Sequence, residues 1–213
     1  SRRLTGGIAL IARLKLSLDD RNIPLWIGAP MKELLTSDGS VDGAVIERSG
    51  ERIVVKARRG VILASGGIDH AVDLRKKYLP NPTGDWSAGV RSNTGDGLLA
   101  GLAAGAATEF LDSAWWAPAF VLKGEERARP ILAERSLPFS IIVNQAGRRY
   151  MNETVSYHAA GDAMNKLNTP EAPTVPSWFV FDANFRARYI LGPLKPGKPS
   201  DDAKLPVEMR EAL

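Results

Sequence analysis

Four groups of residues have types and spacings that chemistry can use. Tyr157-His158 follows Asn152-Glu153, and a phenol or an imidazole exchanges protons with a reacting group within hydrogen-bond reach. Such residues serve equally well as ordinary surface or core positions. Trp115-Trp116, with Pro118 close behind, offers the large rigid surface that walls an apolar ligand pocket or anchors a domain junction. Ala64-Ser65-Gly66-Gly67 closes an apolar run. Two glycines there let another backbone or a cofactor approach more closely than a Cβ permits, and a tight turn after a buried strand uses the same pair. Asn93-Thr94-Gly95-Asp96-Gly97 opens a Gly/Ala-rich helix, whose first N–H groups favour acceptor atoms. Asp96 either contacts a ligand hydroxyl there or caps the helix.

These groups need elements to hold them. Ile8, Ile11, Leu14 and Leu18 recur at helical spacing, which predicts an amphipathic helix over residues 7–22. Residues 23–27 are a short apolar run before Gly28-Ala29-Pro30 and read as a buried strand. Residues 31–36, 41–48 and 52–57 switch to a β-like pattern broken by Ser37-Asp38-Gly39-Ser40 and Ser49-Gly50-Glu51, which predicts a three-stranded antiparallel meander. Residues 60–64 are apolar throughout, as strands of a helix-covered parallel sheet are, so an α/β core is expected beside the meander. Helices are expected at residues 71–78 and 98–105, a Gly/Pro-rich loop at 80–90, strands at 140–144 and 177–182, a turn at 145–148 and a helical turn at 184–189. The Pro/Lys/Asp-rich tail from Gly192 reads as a mobile loop with a short helix at 208–213.

Composition closes off several chemistries. The 213 residues include no Cys and two His, which excludes disulfides, thiolate metal sites, Cys-ligated iron–sulfur clusters, a Cys nucleophile and a multi-histidine metal centre. The net charge of +4 is spread along the chain rather than gathered in the basic stripe that nucleic-acid binding uses. No apolar run approaches the ~18 residues that span a bilayer, and neither a P-loop nor a Gly-x-Gly-x-x-Gly after an N-terminal strand is present.

The order of the motifs is more specific than any one of them. A meander, then Val61-Ile62-Leu63-Ala64-Ser65-Gly66-Gly67, then Asn93-Thr94-Gly95-Asp96-Gly97, then Gly147-Arg148-Arg149-Tyr150-Met151-Asn152-Glu153 resembles the FAD-dependent fumarate reductase/succinate dehydrogenase flavoproteins. Within them, Asp112-Ser113-Ala114-Trp115-Trp116-Ala117-Pro118, Ala133-Glu134-Arg135-Ser136-Leu137-Pro138 and Trp178-Phe179-Val180-Phe181-Asp182 resemble the 3-ketosteroid Δ1-dehydrogenases, over residues 4–195. Dicarboxylate enzymes of this superfamily typically carry a His-Pro pair where this chain reads Ala117-Pro118, and an Arg-Asp pair where it reads Tyr157-His158. Loss of a carboxylate-binding cation beside two tryptophans suits a bulky apolar ketone better than fumarate.

The resemblance implies an α/β (α+β) fold. Residues 1–114 would be the rear of a Rossmann-like FAD-binding domain with its antiparallel β-meander, and residues 115–213 part of an α+β substrate (capping) domain. It implies 1,2-dehydrogenation of a steroid or similar ketone, with a proton taken by a tyrosine and a hydride by the flavin, and an electron acceptor still to be identified. Tyr157 would be the base or its partner and Trp115 and Trp116 the substrate wall. Ala29 and Pro30 would lie at the adenine end of FAD, Ala64, Ser65, Gly66 and Gly67 along the cofactor cleft, and Asp96 on the flavin side. Glu153 would be structural, paired with Arg148 or Arg149. The family's dinucleotide fingerprint and its C-terminal segment are not in this chain, which implies an internal fragment that alone neither holds FAD tightly nor turns over. A cytoplasmic location, with peripheral membrane association conceivable, completes the reading. A fumarate- or enoate-reductase flavoprotein and a non-catalytic module retaining the fold are its competitors.

Overall fold

The computed structural model describes residues 3–79, 86–121, 127–192 and 194–197. They divide into two compact units, Ser1–Leu63 with Ala103–Gly105, and Ala64–Leu102 with Ala106–Leu213. The first boundary falls where the apolar run meets the Gly-Gly motif.

The first unit holds α1 (Gly6–Asp20) and a meander of β1 (Met31–Ser37), β2 (Ser40–Arg48) and β3 (Glu51–Lys56). Helix α1 ends in a Schellman motif. Asn22 takes a left-handed φ of 54°, its N–H donates to Asp19 O, and the Ile23 N–H donates to Leu18 O, which satisfies carbonyls the helix would otherwise leave open. The meander is antiparallel in the order β1-β2-β3. Its links are two-residue turns, Asp38-Gly39 (φ 48° and 77°) and Ser49-Gly50 (φ 53° and 81°). Positive φ at both central positions is the primed geometry whose twist matches that of paired strands. Gly43 sits beside a register shift at Leu35/Thr36, and a Cβ there would lie 2.1 Å from Val55 O, so the position admits only glycine.

Two expected strands do not form. Residues 23–27 and 60–64 have extended or bent backbone outside any sheet, with Ile27 85% and Ile62 93% exposed. An apolar run becomes a strand only when neighbours take its N–H and C=O groups and cover both faces. Among the described residues nothing does so. All three described sheets are antiparallel, and the expected parallel pairing is absent among the described residues.

The second unit contains α2 (Val72–Tyr78), most of α3 (Asp96–Ala103), the pair β4 (Ala119–Phe120) and β5 (Arg129–Pro130), a 3-10 turn at Glu134–Ser136, β6 (Ser140–Val143), α4 (Tyr157–Lys166), β7 (Trp178–Phe181) and α5 (Ala183–Arg188). β6 and β7 pair antiparallel from Ser140↔Phe181 to Val143↔Trp178. Around them sits an aromatic core. Phe185 is fully buried, and its ring centroid lies 5.5 Å from Phe179, 5.4 Å from Phe181 and 5.3 Å from Tyr189. Asp182 caps α5 by accepting from the N–H groups of Asn184 and Phe185 at 2.8 and 2.9 Å. The Phe185 N–H, then Asn184, hold its carboxyl below the usual carboxylate range. The expected loop at 80–90 lies partly, and the helix at 208–213 wholly, outside the described residues. No helix among the described residues is long and apolar enough to cross a membrane.

Phe185→Ala is expected to cost about 3–5 kcal/mol, the range for removing a phenylalanine from a closed core, as a shift in the midpoint of denaturant unfolding followed by tryptophan fluorescence.

Candidate active site

The two glycine motifs meet in the second unit. Gly95 N–H donates to Gly67 O at 3.1 Å, and His70 N–H donates to Asn93 O at 2.9 Å. Gly66 has φ 90° and a Cβ there would fall 2.3 Å from Asn93 Oδ1, so the missing side chain is used by the Asn93 carboxamide. Gly95, at φ 83°, is buried, and a Cβ would reach Leu74 Cδ1 at 2.5 Å. Asp69 ties the junction together. Its carboxylate accepts from Ser87 Oγ at 2.8 Å and from Asn93 Nδ2 at 2.9 Å, while its carbonyl accepts from Arg75 Nη1 at 2.9 Å. Sequence reasoning missed Asp69, although a carboxylate two residues beyond a glycine pair is well placed to bridge the turn it follows.

Ala64, Ser65, Gly66 and Gly67 are exposed, so this stretch presents open backbone. Asp96, also exposed, is the first residue of α3 and accepts from Thr94 Oγ1 at 3.0 Å. In the first unit Ala29 is half-buried and Pro30 exposed, with Pro30 O accepting from Glu47 N–H at 3.0 Å.

Next to the Asp69 junction lies a cleft of about 1030 Å³, within the second unit. Trp115, Trp116, Phe120, Met164 and Phe179 supply much of its apolar lining, and Asp69, Arg75, Ser87, Asn93, Asn165 and Ser177 its polar points. Its size suits a multi-ring ligand. Ala117 and Pro118 both line it. Both tryptophans line this cleft.

Tyr157 does not line the cleft directly. It is half-buried at the first position of α4, where Ser156 caps the helix by accepting from Ala159 N–H at 3.1 Å. Its ring stacks on Trp115, with centroids 6.0 Å apart and planes inclined by 30°. His158 is exposed.

The loop before α4 is anchored by an ion pair between a buried carboxylate and the exposed guanidinium of Arg149. Glu153, 4% exposed, accepts from Ile142 N–H at 3.0 Å, from Arg149 Nε at 3.0 Å and from Arg149 Nη2 at 2.5 Å. Burial pushes its carboxyl up, but the Arg149 guanidinium and the Ile142 N–H together outweigh burial and hold it below the usual range. Buried Arg135 donates through Nη1 to Glu153 O and through Nη2 to Val155 O, the latter at 2.5 Å. Burial lowers the pKa of its guanidinium. Arg149, not Arg148, is the partner of Glu153.

Against this geometry, the FAD binding domain family matches residues 1–195. The chain belongs to that family. It is 39% identical over 202 residues to a 3-oxosteroid 1-dehydrogenase of Mycobacterium tuberculosis, an alignment that covers 90% of this chain and 36% of that protein. A crystal structure of a 3-ketosteroid delta1-dehydrogenase from Sterolibacterium denitrificans, in complex with 1,4-androstadiene-3,17-dione, superposes with a TM-score of 0.81 at 39% identity, covering 86% of this chain and 34% of that one. A probable fumarate reductase of Shewanella frigidimarina is more distant, at 25% identity over 88% of this chain and 31% of that protein. The chain spans about a third of the length of the curated relatives it matches. The mixed helix and sheet of the structure place it in the α+β class.

Because the native Glu153 carboxyl titrates below its unfolded value, its stabilising contribution is complete above the unfolded value, ~4.3, and disappears as pH falls through the lowered native one. Glu153→Gln should therefore lower the thermal midpoint at pH 7, and the gap to wild type should close below about pH 4, as read by circular dichroism melts across pH.

Proposed function

We propose that this chain is part of an FAD-dependent oxidoreductase that removes two hydrogens from adjacent carbons of a bulky apolar ketone of the 3-oxosteroid class. The observation that carries this reading is the cleft: tryptophan and phenylalanine wall it and Ala117 lines it, at the place where the resemblance gives dicarboxylate enzymes a His-Pro pair. A fused-ring ketone gains from desolvating such a surface, whereas a dicarboxylate there would want a cation to pair with. The 39% identity to the mycobacterial 3-oxosteroid 1-dehydrogenase supports the same choice.

On this reading residues 1–114 belong to the cofactor side, as the rear of a Rossmann-like domain, and residues 115–213 to the substrate side. The exposed backbone of Ala64, Ser65, Gly66 and Gly67 and the exposed Asp96 carboxylate at the start of α3 fit a large polar cofactor. The resemblance places Ala29 and Pro30 at the adenine end of FAD. FAD, when bound, supplies the two-electron acceptor for the hydride that leaves one carbon. Tyr157 takes the proton from the neighbouring carbon, directly or through a partner, and Trp115 and Trp116 fix the ketone's rings and keep water from them. Donors that polarise the ketone carbonyl would come from outside these residues, as would a second electron acceptor.

In a full-length flavoprotein carrying this sequence, anaerobic addition of a 3-ketosteroid is expected to bleach the flavin absorbance, with no reoxidation by fumarate. Tyr157→Phe should slow that bleaching by about 10²–10⁴-fold, the usual worth of a positioned acid or base. Reoxidation of reduced flavin by fumarate without bleaching by steroid would move the assignment to the enoate reductases, and neither response would leave a non-catalytic module.

A further inference from the structure

Helix α4 carries a glycine in its interior, where helix propensity favours alanine. Gly161 keeps ordinary helical backbone, so turn geometry does not require it. Contact does: a Cβ at 161 would lie 2.7 Å from Trp116 Cβ, 2.9 Å from Trp116 C and 2.9 Å from Ala117 N. Two of these three atoms are backbone, which no rotamer change can move. Carbon atoms rest about 3.5–4.0 Å apart, so a Cβ would part helix and segment by roughly 0.6–1.3 Å.

Tyr157 and Gly161 are four residues apart and share a face of α4. The segment that presses on Gly161 also carries Trp115, whose indole stacks on Tyr157. That indole is 80% exposed, so burial does not hold it, and among the described residues Tyr157 is its one recorded ring partner. Asn165, one turn further along the same face, donates to Gly161 O at 3.1 Å and borders the cleft. We propose that Gly161 and Trp115 are positioning residues for Tyr157: Gly161 admits the Trp116-Ala117 backbone against α4, and that contact sets the Trp115 indole against the phenol at the edge of the cleft. The inference rests on the reading of Tyr157 as the proton acceptor, but the contact itself is independent of it.

The test uses the full-length flavoprotein carrying this sequence, with Gly161→Ala, Trp115→Phe and Trp115→Leu. In the flavin-free form, Gly161→Ala should keep its far-ultraviolet circular dichroism and cooperative melting while its near-ultraviolet spectrum shifts toward that of Trp115→Leu. With flavin and steroid, kcat of Gly161→Ala should fall by about 100-fold, the scale of a misplacement near 1 Å, at unchanged KM; kcat of Trp115→Leu should fall by a similar factor, with KM rising as well because Trp115 also walls the cleft. Trp115→Phe, which restores a stacking ring, should recover most of that loss. A wild-type near-ultraviolet spectrum and kcat in Gly161→Ala overturns the proposal. If Gly161→Ala fails to fold, Trp115→Leu decides, and an unchanged kcat there overturns it too. Should Tyr157→Phe turn over like wild type, the proton-acceptor reading falls, and the near-ultraviolet comparison still decides whether Gly161 sets the stack.

Discussion

A carboxylate taken out of water must be given partners, and Glu153 shows how much follows from that requirement. Its side chain draws the Ile142 N–H of β6 and the Arg149 guanidinium to one point. Its own carbonyl and that of Val155 receive the buried Arg135. The stretch between β6 and α4 is thereby pinned at both levels, side chain and main chain, within four residues of Tyr157. Arg149 itself stays exposed, yet removing it would leave the buried Glu153 carboxylate short of its cation, so the pair fixes a single arrangement. Here the arrangement fixed is the origin of α4, and with it the height at which the phenol meets the Trp115 indole.

The cleft beside that helix is defined as much by what it lacks as by what lines it. Trp115, Trp116, Phe120 and Phe179 offer dispersion and desolvation without direction. Its polar points belong to the Asp69 junction and to Asn165 and Ser177, and Asp69 is already engaged by Ser87 and Asn93. An apolar ring system held by shape can present one edge reproducibly, which a dehydrogenation at two adjacent carbons demands. The Asp69 junction borders the cleft through Asn93, which the Gly67–Gly95 hydrogen bond holds nearby, so the two glycine motifs meet this site through hydrogen bonds of their own.

Local signals were legible in the sequence, and signals that depend on distant cover were not. The meander could be read because Asp38-Gly39 and Ser49-Gly50 dictate their turns and the alternation between them dictates the strands. α1, α2, α3 and the β6 and β7 strands followed from period and flanking residues in the same way. Residues 23–27 and 60–64 misled because an apolar run states only that something must cover it; Ile27 and Ile62 stand exposed instead. At the site, residue types flagged Trp115, Trp116 and Tyr157, but the stack between Trp115 and Tyr157 spans forty-odd residues of chain and leaves no periodic trace. Asp69 and Gly161 were invisible for a related reason: one is an ordinary carboxylate and the other an ordinary glycine until their neighbours are known.

The primed turns of the meander also bear on how the chain comes to be folded. Every pairing in β1-β2-β3 joins sequence neighbours through a two-residue link, so loop-closure entropy is minimal and each hairpin can form on the order of microseconds. The Asp69 junction, by contrast, needs residues from Gly67 to Asn93, and the β6–β7 pair waits for a segment more than thirty residues away. Contact order therefore separates the two units in time. The meander carries its register within itself, whereas the cleft with its tryptophan wall depends on contacts made over longer stretches of chain.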